Sequence, residues 1–156
     1  MVVDWSAPTM SLRSLTHRLL GLSLCLGGGL GCHGDQPTVL NGLTQRGVFE
    51  VEVRPSPDPI PLNVPFELSV LLRSGADSAQ ALPGRTLLVE GWMPGHGHGM
   101  LRQSQVEDLG DGRYRVRGML FHMPGSWELR VKVIETRIEE EFRVVEDDEL
   151  SFVVVL

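Results

Sequence analysis

From residue 48 onward the chain alternates between apolar and polar positions. VFEVEVR (48–54) sets Phe49, Val51 and Val53 against Glu50, Glu52 and Arg54. A period of two is the mark of a strand with one buried and one wet face. FELSVLLR (66–73) repeats the pattern with Phe66, Leu68, Val70 and Leu72. RYRVRGMLF (113–121) places Tyr114 and Val116 between Arg113, Arg115 and Arg117, and SWELRVKVI (126–134) sets Trp127, Leu129, Val131 and Val133 against Glu128, Arg130 and Lys132. RTLLVEGWM (85–93) and the more polar RQSQVEDL (102–109) read as further strands. EFRVVEDDELSFVVVL (141–156) supplies one or two more, with EDDE (146–149) reading as a solvated turn. Between them, the prolines of PSPDPIPLNVP (55–65) exclude a helix, SGADSAQALPG (74–84) is a loop, and GDG (110–112) marks a tight turn. About seven short strands with regularly spaced turns predict an all-β fold, an immunoglobulin-like β-sandwich. Trp127, Tyr114 and Phe66 are expected to share its core.

The first 46 residues follow different rules. LLGLSLCLGGGLGC (19–32) comes after SLRSLTHR, which carries Arg13, His17 and Arg18 and no acid. A basic start and a short apolar run form the layout of a secretory signal peptide, and the run is too short to span a bilayer. Met10 is an alternative start to Met1. The run ends in GLGC, which resembles a bacterial lipobox, where small residues precede a lipid-bearing cysteine. The match departs from the usual pattern at Gly29, where leucine is customary. Residues 1–32 are therefore expected to be a leader with Cys32 as the lipidation site; plain cleavage without lipid is the alternative. HGDQPTVLNGLTQR (33–46) reads as a tether, and residues 47–156 as the domain. The expected location is extracytoplasmic: a lipoprotein on the bacterial cell envelope, facing the periplasm, with the membrane as its first partner.

Composition narrows the function. Both cysteines, Cys25 and Cys32, lie in the leader region, so the domain has no disulfide and depends on its core. The formal net charge is −6, and losing the leader makes the remainder slightly more acidic. That argues against nucleic acid, whose phosphates demand a basic surface. No Gly-x-Ser-x-Gly elbow, phosphate loop or dinucleotide fingerprint is present, and outside the leader there is no cysteine nucleophile. The chain is not expected to be an enzyme.

What remains is a cluster of soft and borderline donors. In GWMPGHGHGM (91–100), His96 and His98 lie between Met93 and Met100. In LFHMPG (120–125), His122 is followed by Met123, and the Met-Pro-Gly of the first segment recurs. Imidazole binds copper, zinc and nickel, whereas thioether sulfur favours Cu(I), so a His/Met set without cysteine points to copper before zinc. Two histidines two residues apart in an extended segment project to one side. The candidate metal set is His96, His98, Met100 and His122, with Met93 and Met123 able to complete it. Binding should strengthen as pH rises through the histidine range, because the ligands must be deprotonated. The plainer reading is a glycine-rich turn with structural histidines, and with Met93, Met119 and Met123 as core fillers.

The histidine-rich Met-Pro turn at 93–100, the Gly-x-Gly-x-Tyr at 110–114 and the Phe-x-Met-x-Gly-x-Trp-x-Leu-x-Val at 121–131 together resemble the YtkA-like domain family, which is related in pattern to FixH proteins. The resemblance covers roughly residues 45–135. It implies an exported immunoglobulin-like sandwich, often membrane-anchored, in a family with members associated with copper handling or the assembly of copper-containing oxidases. Only the MPGHGHGM and FHM positions carry over as ligands. The lipobox-like leader and the lack of a membrane helix depart from the FixH pattern. Two functions are thus expected: copper binding or delivery to a copper-protein acceptor, or a metal-free structural or protein-interaction sandwich in the cell envelope.

Overall fold

The structure, a computed structural model, describes residues 37–139 and 141–156. The expected leader with Cys32, and the start of the expected tether, lie outside the described residues. Nine strands form among those described: β1 (Leu40–Leu43), β2 (Phe49–Ser56), β3 (Phe66–Ser74), β4 (Thr86–Met93), β5 (His98–Gly99), β6 (Gln105–Gly110), β7 (Arg113–Met119), β8 (Ser126–Glu139) and β9 (Phe142–Val155). They make two antiparallel sheets, β1-β2-β3-β7-β6 and β5-β4-β8-β9. The chain changes sheet after β3, β5 and β7. The result is a β-sandwich, as the alternation predicts.

The alternating positions face each other across the sandwich. Val51, Val53, Leu72, Val116, Leu129, Val131 and Val133 have no exposed surface, and Trp127, Tyr114 and Phe66 join the same core. The Tyr114 hydroxyl accepts the Arg85 N–H (3.0 Å) and donates to the Leu82 carbonyl (3.2 Å), which fastens the 74–85 crossover to β7. The wet side of β7 carries Arg115 and Arg117, which reach Glu107 and Glu67 at 3.3–3.6 Å. Such exposed pairs contribute little to stability. The GDG turn joins β6 to β7 with positive φ at both Asp111 (50°) and Gly112 (69°), the primed hairpin turn that suits twisted strands.

Two expectations are corrected. The segment read as a tether enters the sheet at Leu40, where β1 pairs Leu40–Leu43 with Val53–Glu50 of β2. EDDE is not a turn. It lies inside a single 14-residue strand, and Asp148 faces inward with 4% of its surface exposed. Its carboxylate accepts hydrogen bonds from the Thr44 hydroxyl (2.6 Å) and the Arg46 N–H (3.0 Å), so partners contributed by the start of the domain make an inward acid tolerable. In addition, β8 and β9 run past the rest of their sheet. β4 ends its pairing at Ile134, while β8 and β9 stay paired out to Glu139 and Phe142. The unit Asp35–Leu156 contains the whole hydrophobic core.

Candidate metal centre

The two Met-Pro-Gly segments meet at one end of the sandwich. The first forms the hairpin between β4 and β5. Met93 and His98 are register partners, and the Met93 carbonyl accepts the N–H groups of His96 (3.1 Å) and Gly97 (2.9 Å). Residues 94–97 are therefore a wrapped turn, not an extended run. His96 lies exposed on the turn and His98 half-buried on β5. The two rings still come within 5.8 Å, centroid to centroid. The His98 Nδ1 lies 3.0 Å from the Gly99 carbonyl, which can only accept. Nδ1 is therefore the donor, and the tautomer this contact selects is the one whose lone pair lies on Nε2.

The second segment is the crossover from β7 to β8. β7 stops at Met119, so this Met-Pro-Gly opens a strand where the first closes one. Its path is set by packing on β4. Phe121 lies directly over Gly91, where any Cβ would meet the ring at 2.4 Å. Phe121 stacks on Trp127 (4.7 Å, 13°) and meets Phe66 edge-on (5.2 Å). The Trp127 Nε1–H donates to the Met123 carbonyl (2.9 Å), and the Asn63 N–H donates to that of Phe121 (2.8 Å). These bonds hold His122 beside the first turn, with its ring 5.4 Å from that of His98. Gly125 completes the seam: a Cβ there would lie 2.8 Å from the Met93 methyl, and its φ of +124° disfavours any other residue.

His98 thus stands between an exposed imidazole and a half-buried one. Two imidazoles bound to one ion through bonds of about 2.0 Å have centroids roughly 5–6 Å apart, the range of both pairs. The Nδ1 of His122 is buried and has no hydrogen-bond partner among the described residues. A buried polar atom left alone calls for an explanation, and a bound cation is one. Among the described residues, no group of three or more His, Cys, Asp or Glu side chains is arranged to hold an ion together.

The methionines divide. Met93 is buried against the second turn. Met123 is half-buried and packs on the core. Met100 sits over Gly91, and its sulfur accepts the Leu120 N–H at 3.4 Å, so one of its lone pairs is engaged in the protein. A groove of about 840 Å³ along β4 includes Met100, Trp92 and Arg130 in its lining but none of the three histidines. The alternation of β8 marks Trp127 as a core residue and nothing more. Its ring also lies 6.3 Å from that of His98 and 5.4 Å from that of His122. Only the aromatic placed five residues after His122 hints at this.

Comparison with known proteins agrees with the motif reading. No curated protein and no solved structure matches the chain. The model of the YtkA-like family matches residues 44–132, which is more than half of the chain and includes both Met-Pro-Gly segments. The chain belongs to the YtkA-like family.

Proposed function

We propose that this protein is an exported, lipid-anchored domain that binds copper at the paired turns and passes it to a copper-protein acceptor. Family membership suggests an envelope domain, and the finer reading rests on the site. The observation that carries it is the convergence of His96, His98 and His122, which come from two turns in different parts of the chain. The donor set suits the ion: imidazoles at ligand spacing, with thioethers packed alongside and no thiolate among the described residues. His96 would serve entry and release at the surface, and His122 retention beneath it. Cys32 would hold the domain at the membrane on the periplasmic side.

The test is a titration of Asp35–Leu156 with Cu(I) against a competing chelator. Starting at Asp35 removes His33 as an adventitious ligand. One-to-one binding is expected, lost in His96→Ala/His98→Ala and weakened in His122→Ala. Equal affinity in wild type and the double variant would overturn the copper reading. It would leave the metal-free interaction domain, which the lack of a three-donor group among the described residues favours.

A further inference from the structure

The histidines fall into two different pairs, and their nitrogens are not equivalent. His96 and His98 meet at the surface. His98 and His122 meet below it, and there Trp127 closes a triangle of rings with sides of 5.4, 5.4 and 6.3 Å. In this triangle the Nδ1 of His98 is committed to Gly99, which leaves its Nε2, and the Nδ1 of His122 is buried without a partner among the described residues. One side of the indole is already covered by the stacked ring of Phe121.

We propose that the retaining site is selective for a soft monovalent d10 cation, Cu(I) or its analogue Ag(I), held between Nε2 of His98 and Nδ1 of His122 with the Trp127 indole as its third wall. This deepens the copper reading and rests on it. The selectivity follows from the coordination number. Zn²⁺ demands four ligands, usually tetrahedral, and among the described residues no three His, Cys, Asp or Glu side chains, His96 with this pair included, are arranged to hold one ion together. A soft monovalent ion is content with fewer donors. It gains further from thioether sulfur and from the negative face of an aromatic ring. Met93 is the thioether placed for that role, being the register partner of His98 with its methyl against Gly125 of the second turn. Met100 is less available, since its sulfur already accepts the Leu120 N–H.

The experiment is a nitrogen-resolved titration. ¹⁵N-labelled Asp35–Leu156 is taken through one equivalent of Ag(I), which cannot change oxidation state during the measurement, and the histidine ring nitrogens are followed by long-range ¹H–¹⁵N correlation. A Trp92→Phe variant leaves Trp127 as the only tryptophan in this unit and supplies a second readout by fluorescence. Large upfield shifts are expected at Nδ1 of His122 and Nε2 of His98, together with a change in Trp127 emission. Zn²⁺ at the same concentration should leave both unchanged. Ligation of His122 through Nε2, binding by His96 and His98 with Trp127 silent, or Zn²⁺ binding as tight as Ag(I) would each overturn this inference while leaving a metal-binding domain. Absence of binding by both Ag(I) and Cu(I) would instead overturn the copper reading itself, and this inference with it.

Discussion

Trp127 has no exposed surface, stacks on Phe121 and donates its indole N–H to the Met123 carbonyl. Replacing it by alanine removes a large apolar side chain and opens a cavity, at a cost of about 3–5 kcal/mol in urea unfolding. A cost within experimental error would contradict the packing described. The loss should also free the 122–125 segment, because the Met123 carbonyl loses its donor. Stability and ion affinity are therefore expected to fall together in Trp127→Ala, while the exposed His96→Ala should weaken binding with stability unchanged. The nearby glycines are as specific as the aromatics: Gly91 admits the Phe121 ring and Gly125 admits the Met93 methyl. Neither role is visible in a one-dimensional pattern, because each depends on what a distant strand places above it.

At the level of elements, the strands that could be read in advance were those with one dry face. β2, β3, β7 and β8 bury alternate residues, and their sequences show it. β1 escaped notice because LNGL is short and gains its place from β2 and from Leu150, whose side chain lies 3.3 Å from where a Gly42 Cβ would be. The middle of β9 is hidden at EDDE because four acids in a row resemble a solvated turn until their partners are known. Asp148 is the decisive one. Burial, the largest influence, pushes its pKa up. Hydrogen bonds from the Thr44 hydroxyl and from the N–H groups of Arg46, Val48 and Glu149 outweigh it and hold the carboxyl below its ordinary value. A depressed carboxyl stabilises the fold above the unfolded-chain value of about 3.9, and that stability is lost as pH falls toward the folded value. Asp148→Asn should therefore cost on the order of 1–3 kcal/mol at neutral pH. It should also flatten the decline in stability below about pH 4 seen in the wild type. An unchanged acid limb in chemical denaturation at several pH values would refute the assignment.

For the whole molecule, the candidate site is a product of tertiary structure. Its histidines lie on the β4–β5 hairpin and the β7–β8 crossover, and the unfolded chain has no reason to bring them together. An ion that binds only the folded form raises its stability by RT ln(1 + [L]/Kd), about 2.7 kcal/mol at a hundredfold excess over Kd. The denaturation midpoint of the wild type should rise with Ag(I), and that of His98→Ala should not; a rise in both would place the ion elsewhere. The sequence identified the three histidines and the class of fold. It could not reveal which pairs form, which nitrogen of each ring is free, or that an indole closes the set, because these follow from the register of β4 with β5 and from the stacking of Phe121 on Trp127.

The far end of β9 has a practical consequence. Leu156 exchanges two backbone hydrogen bonds with Gly125, its N–H donating to the Gly125 carbonyl (3.0 Å) and its carbonyl accepting the Gly125 N–H (2.8 Å). Whatever is joined after residue 156 therefore emerges beside the second Met-Pro-Gly turn. A polyhistidine tag placed there would set a competing chelator next to His122 and loosen the pairing that fixes Gly125. Purification from the amino-terminal side, with the tag cleaved, keeps the metal chemistry of this domain its own.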